Sequence, residues 1–146
     1  MTRSENMARV KGKDTKPELY VRKLLRSAGY GYRIHCDWLP GKPDIYLPKY
    51  KTAIFVHGCF WHAHENCRMF RLPQSNTKYW IEKLKKNTER DAKNRTELLK
   101  LGIKTIIIWG CTVKDMMKHD LKQIIEMETI SEILEQVEEP PDVYEL

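Results

Sequence analysis

An α/β fold built on a mixed sheet is predicted by three features of this sequence. Two runs with β-branched and apolar character, Thr52 to Val56 and Lys104 to Trp109, flank a long helical stretch from Thr77 to Lys100 that is rich in Lys, Glu, Arg and Leu. Reaching the second run through a helix requires a crossover, so these two strands should lie parallel or nearly so. Ile45 and Leu47 lie in a short strand that forms a hairpin with the first run, which adds the other strand direction.

Taken in order, residues 1–13 are polar and basic without an apolar period and end in Lys11-Gly12-Lys13, a basic arm suited to contact with a groove or a phosphate backbone. Asp14-Thr15-Lys16-Pro17-Glu18 is a helix start, with a capping side chain and a proline in the first turn. Leu19, Val21, Leu24, Leu25 and Ala28 would form its buried side until Gly29 stops it. Tyr30, Tyr32 and Ile34 alternate as in a strand, and Leu39-Pro40-Gly41-Lys42-Pro43 separates them from Ile45 and Leu47. The long helix follows a loop around Pro73 and ends at Gly102. A last helical region from about Val113 to Val137 precedes residues 138–146, expected to be a poorly ordered acidic tail. A chain of 146 residues is one domain, 1–146, large enough for a real core.

The sequence contains no apolar run of the roughly 20 residues that span a bilayer and begins without a secretory signal, so a soluble cytoplasmic protein with no membrane partner is expected. Thiols stay reduced there, which favours metal ligation over disulfides. Charge is uneven. Residues 123–146 hold eight acidic residues and no Lys or Arg, leaving 26 basic against 12 acidic in the rest, a net +14. That excess points to a polyanion, with nucleic acid the first candidate, or to a well-solvated surface.

The densest chemistry lies between Ala53 and Cys67. Cys59, His64 and Cys67 give a Cys-x4-His-x2-Cys run at zinc-ligand spacing, and Cys111 after the fourth strand would complete a Cys3His site. His62 is left over. Held by the same loop, it is a candidate for proton transfer. Asp44 opens a strand after a tight turn, where its carboxylate either meets a hard cation or caps its neighbours. The hairpin would bring it towards His62. Phosphodiester hydrolysis needs a divalent ion, a base and help for the leaving oxygen, and Asp44, His62 and Mg2+ could supply that set. Glu18 either reaches the same place or forms an exposed pair with Arg22. Asp91 is a solvated helix carboxylate or a supporting acid, and His57 a supporting group or a strand-end histidine. Phe60, Trp61 and Trp80 are either core or wedges for separating stacked bases. Adjacent residues of an extended segment face opposite ways, so Phe60 and Trp61 should not both enter one core. Lys86 and Lys93 on the basic helix would meet the DNA backbone without regard to sequence.

These motifs resemble the very short patch repair endonucleases, which nick DNA beside the thymine of a T·G mismatch left by deamination of 5-methylcytosine. The likeness runs from Thr2-Arg3-Ser4-Glu5-Asn6-Met7 through Gly41-Lys42-Pro43-Asp44, His57-Gly58-Cys59-Phe60-Trp61-His62 and Glu89-Arg90-Asp91 to Trp109-Gly110-Cys111. It implies a restriction-endonuclease-like fold with a structural zinc and a catalytic Mg2+. By position, Asp44 would bind Mg2+ through its carboxylate and Val56 through its carbonyl, His62 would act as base with His57 assisting, and Glu18 and Asp91 would hold waters on the ion. Cys59, His64, Cys67 and Cys111 would ligate zinc. Phe60, Trp61 and Trp80 would intercalate, with Met7 of the arm in the other groove. Many nucleases of this fold carry an acidic-x-Lys triplet on the strand after the first aspartate, whereas this one reads Ala-Ile-Phe-Val-His, so histidine must take over the lysine's function. The implied partner is double-stranded DNA containing a T·G mismatch, with other mismatch-repair proteins as further partners, and a single-strand nick needs only a monomer. A restriction-type enzyme cutting both strands and a zinc module that binds distorted DNA without cutting it are the alternatives.

Overall fold

The computed structural model describes residues 14–118 and 143–145. The basic arm with Met7, most of the region from Val113 to Val137, and residues 138–142 and 146 of the expected tail lie outside the described residues.

Helix α1, Lys16–Ser27, starts as its sequence dictates: the Thr15 side chain accepts the Glu18 N–H at 3.4 Å and Pro17 sits in the first turn. Its buried stripe is Glu18, Val21, Leu24 and Leu25, while Leu19 is 48% exposed and Ala28 is exposed. This corrects the expected stripe. Val21 and Leu25 are one turn apart and turn inward together with Glu18, whereas Leu19 lies 100° round from Glu18. A carboxylate thus occupies a core-facing position. The expected strand at Tyr30 to Ile34 reduces to one bridge, in which Arg33 and Tyr46 exchange backbone hydrogen bonds at 2.8 and 2.9 Å. His35, at φ 53°, turns the chain away just beyond it.

Strand β1, Ile45–Leu47, pairs antiparallel with β2, Thr52–His57, across a single 3-10 turn at Pro48–Tyr50. Helix α2, Thr77–Lys100, then crosses to β3, Lys104–Trp109, which runs parallel to β2 in a register from Thr52↔Lys104 to His57↔Trp109. Helix α3, Gly110–Met116, follows without a loop. Residues 143–145, expected to belong to the loose tail, form β4, which pairs parallel with β3. A buried apolar strand such as β3 needs a partner on each edge, and Val143-Tyr144 has the residue types that provide one. The sheet order is β1-β2-β3-β4, and the class is α/β with a mixed sheet.

Period-two alternation divides the core. Ile45, Leu47, Ile54, Ile106 and Ile108 face α1 and α3, meeting Val21, Leu24, Leu25, Val113 and Met116. Ala53, Phe55 and Ile107 face the other way, onto Leu98 of α2 and Ile103. The same alternation carries His57 and Trp109, the last residues of the two parallel strands, to the α2 side. Among the described residues no helix is long and apolar enough to cross a membrane.

Candidate active site and metal centre

Beyond His57 the chain coils into successive turns, with the N–H groups of His62, Ala63 and His64 donating to the carbonyls of Gly58, Phe60 and Cys59 at 3.2, 3.2 and 2.9 Å. The parallel register sets this loop beside Gly110 and Cys111. As a result Cys59, His64, Cys67 and Cys111 offer ligand atoms that all lie within 4.8 Å of one another. Cys111 N–H donates to Cys59 Sγ at 3.3 Å, and Cys111 Sγ lies 3.6 Å from His64 Nδ1. Burial pushes the Cys59 thiol up to about 12. At Cys67 burial acts upward too, but the N–H groups of Met69 and Phe70 and the neighbouring thiols outweigh it and lower the thiol. Three sulfurs and one imidazole nitrogen make a closed set able to hold one metal ion, the donor chemistry of structural zinc sites.

A cleft of about 860 Å³ opens between the end of β2, α1 and α2, and Glu18, Asp44, Val56, His57, His62 and Asp91 all line it. Residues from three elements and two loops thus converge. Asp44 Oδ2 accepts the Val56 N–H at 2.7 Å, which fixes the carboxylate against the sheet edge. Glu18 is 3% exposed; its Oε2 accepts the Asp14 N–H at 2.9 Å and lies 3.4 Å from Arg22 Nη2. Its pairing with Arg22 is therefore not an exposed surface pair. Burial, and next the charge of Glu18, push Asp44 up to about 8. Crowding of carboxyls in a buried place is the arrangement that a hard divalent ion relieves.

His57, His62 and Asp91 form the second group of potential ligands within 4.8 Å. The two imidazoles stack at 3.7 Å between centroids and 2° between planes. Lone pairs in parallel planes do not converge on one ion, so this trio is built for handling protons more than for chelation. His62 Nδ1 lies 2.5 Å from Asp91 Oδ2. Burial alone would raise Asp91, but the His62 hydrogen bond and charge prevail and lower it. An ionised Asp91 accepts a hydrogen bond from His62 Nδ1, so whenever the His62 ring is neutral its acceptor is Nε2. Burial, then the neighbouring His62, lowers His57 to about 3, so it stays neutral.

The aromatic loop departs from expectation. Phe60 is 6% and Trp80 3% exposed, and both pack with Trp61, ring centroids 5.3 to 5.5 Å apart, together with Leu84. Because residues 59–63 are coiled and not extended, neighbouring rings can reach one cluster. Trp61 stays half-buried at the cleft, its carbonyl accepting Asn87 Nδ2 at 3.0 Å. Lys86 and Lys93 are exposed on α2.

Sequence reasoning missed Lys83, Asn87 and Asn94, which line the same cleft as Asp91. Positions 83, 87, 91 and 94 follow the helical repeat, so a stripe drawn through Asp91 would have found them. Asn94 also lies where a side chain on Gly41 would collide, 2.9 Å from such a Cβ, and Gly41 adopts φ +77°. That glycine lets the Gly41-Lys42-Pro43-Asp44 turn approach α2.

A profile of the family described as "DNA mismatch endonuclease Vsr" matches residues 1–68. The chain is 50% identical over 113 residues to the "Type II nicking enzyme V.NmeAIP" of Neisseria meningitidis serogroup A, covering 77% of this chain and 80% of that one. It is 43% identical over 122 residues to "Type II nicking enzyme V.XorIIP" of Xanthomonas oryzae pv. oryzae, 82% of this chain and 89% of the relative. With the "DNA mismatch endonuclease Vsr" of Escherichia coli K12 it shares 39% over 117 residues, 80% and 74% of the two chains. Identity at this level over most of both partners, together with the profile match, assigns the chain to the Vsr family of DNA mismatch endonucleases.

Proposed function

We propose that the chain is a Mg2+-dependent endonuclease of restriction-endonuclease-like fold that nicks one strand of double-stranded DNA beside the thymine of a T·G mismatch. The observation that carries this reading is the convergence of Asp44, Glu18, His62 and Asp91 in one cleft, with His62 hydrogen-bonded through Nδ1 to an ionised Asp91.

The Asp44 carboxylate and the Val56 carbonyl would hold Mg2+, with Glu18 beside them; the site fits a divalent ion because a cation would offset the burial and the neighbouring Glu18 charge that raise Asp44. When bound, Mg2+ supplies charge neutralisation at the scissile phosphate and the leaving oxygen. His62 Nε2 takes the proton of the attacking water, and Asp91 holds the tautomer and stabilises the charge that the ring then carries. His57, neutral and stacked on His62, keeps the ring in place and excludes water from one face. Cys59, His64, Cys67 and Cys111 would hold a structural zinc, which would tie the loop to the start of α3 beyond β3. Trp61 enters the stack next to the mismatch, Phe60 and Trp80 support it, and Met7 of the arm meets the opposite groove. The basic α2, with Lys86 and Lys93, follows the phosphate backbone. One copy suffices for one nick, so the active species is a monomer working in the cytoplasm, alongside other mismatch-repair proteins.

Strand-specific cleavage of end-labelled duplexes tests the reading. A single nick in T·G duplex, none in T·A, and none with EDTA is the expected pattern. Cleavage of both strands of T·A duplex would favour a restriction-type enzyme, and binding without any cleavage would favour a zinc module.

A further inference from the structure

Four rings join the Cys/His cluster to the proposed base. His64, one of the four cluster donors, stacks on Trp109 at 3.9 Å between centroids and 7° between planes. Trp109 meets His57 edge-on at 5.4 Å and 73°. His57 in turn stacks on His62. The register makes this contact obligatory: His57 and Trp109 are directly paired at the ends of β2 and β3, on the α2 side of the sheet. Across a parallel pair, side chains at one register position are immediate neighbours, and a large flat ring there limits how its partner can turn.

We propose that Trp109 is a positioning residue that transmits the geometry of the Cys/His cluster to the His57–His62 pair. Its indole is held on one face by His64, whose orientation ligation would set, and it meets edge-on the His57 imidazole, on which His62 lies. The metal-tied loop thereby fixes the direction of the His62 ring as well as the fold around it. His62 has a second constraint, the 2.5 Å hydrogen bond to Asp91 on α2. The sheet-side stack and the helix-side carboxylate together leave the ring little freedom, whereas the hydrogen bond alone would permit rotation about its axis. This inference rests on the reading that His62 handles the proton.

The test compares Trp109→Leu with Trp109→Phe, measuring bound zinc, affinity for a T·G duplex, the single-turnover nicking rate and the NMR resonances of the His57 and His62 ring protons. Loss of the flat ring should leave zinc content and duplex affinity unchanged while lowering the rate by about 10- to 100-fold, the scale on which small misplacements act. Phenylalanine should recover most of the rate. In the Leu variant the His62 ring protons, which stack on His57 and not on the indole, should move out of their ring-shifted positions, a change that loss of the indole's own ring current at His57 does not account for. A zinc-loaded Leu variant with wild-type rate and wild-type His62 resonances would overturn the proposal. If the Leu variant cannot load zinc, the Phe variant decides: zinc-loaded and nearly wild type in rate, it supports the ladder; zinc-loaded and as slow as Asp44→Ala, it refutes it. His62→Ala run in parallel keeps the two ideas apart. Full activity there ends the proton role of His62, and the imidazole resonances of Trp109→Leu still decide whether the ladder exists.

Discussion

His62 and His64 stand two residues apart on one loop and have opposite chemical fates. His64 turns to three thiols that lie within reach of one another, a complete set of four donors of the structural-zinc type. His62 turns to a carboxylate, at the wall of a cleft of about 860 Å³ whose other donors are the oxygens of Asp44, Glu18 and Val56. The first region gathers its donors on one another; the second lines a cleft with hard oxygen donors. Donor softness and closure, more than the presence of histidine, separate a structural centre from a reactive one.

Activity should separate the two regions most sharply. Asp44→Ala and His62→Ala are each expected to lower single-turnover nicking by about 10²- to 10⁴-fold while leaving mismatch affinity within a few-fold, because their interactions form mainly in the transition state. Zinc content should stay at one per chain in both. If His62→Ala instead released zinc, the assignment of the two histidines would be exchanged and the comparison would break.

Stability should separate them in the other direction. Cys67→Ala removes a ligand from a set whose binding free energy is folding free energy, so loss of zinc and a fall of several kcal/mol in unfolding free energy should appear together in thermal or urea melts. Asp44→Ala should melt at or above the wild-type temperature in the absence of Mg2+, since it removes a carboxyl from a crowded pair. A Cys67→Ala protein as stable as wild type would show that the cluster is not structural.

The pH dependence gives a smaller and signed effect. Asp44 binds its proton up to about 8 in the folded chain against 3.8 ordinarily, so the folded state carries the extra proton and stability falls as pH rises through that window. His57 runs the other way: its folded value of about 3 lies below the usual 6.5, so its contribution is present above 6.5 and lost as pH falls towards 3. The two oppose each other between about 4 and 6.5 and only Asp44 remains above that range. Without Mg2+, stability should therefore decline between pH 6.5 and 8 by no more than about 1.4 kcal/mol per unit for this proton. Asp44→Asn, or saturating Mg2+, should flatten that decline; a wild-type curve rising across the same range would contradict the Asp44–Glu18 account.

Much of this could be read from the residues, and the parts that could not have physical causes. Helix α2 and strand β3 match their expected bounds because period and end signals agree over long segments. The cleft residues were legible because the hairpin and the crossover require the start of β1 and the end of β2 to meet. Leu19 was misjudged because helical period alone does not say which stripe is core when a carboxylate shares it. The packing of Phe60 with Trp61 was missed because an extended loop was assumed, whereas the chain coils at Ala63, φ 48°. Pairing of Val143–Glu145 with β3 joins residues 38 apart in sequence, Thr105 with Val143 through Ile107 with Glu145, which no local pattern reveals.

That coiled loop also sharpens the comparison between support and recognition within the aromatic cluster. Phe60 and Trp80 are buried with Leu84, so replacing either by Ala should cost about 3–5 kcal/mol of stability, as for other large core aromatics. Trp61 is half-buried at the cleft and should cost less, while its loss falls on recognition. A wobble pair stacks poorly, so opening the step beside T·G is cheaper than opening a normal one, and a ring that fills the gap converts that difference into preference. Stacking of one base on an aromatic ring is worth about 1–3 kcal/mol, so Trp61→Ala should lower the ratio of T·G to T·A affinity by about 10-fold. Lys86→Ala and Lys93→Ala, which touch only the backbone in this reading, should weaken both duplexes equally and reduce the salt dependence by about one unit of slope. Titrations of both duplexes at two salt concentrations distinguish the classes. If Trp61→Ala behaved like the lysine variants, losing affinity without losing preference, Trp61 would be part of the basic surface's footprint and mismatch recognition would have to lie elsewhere along the cleft.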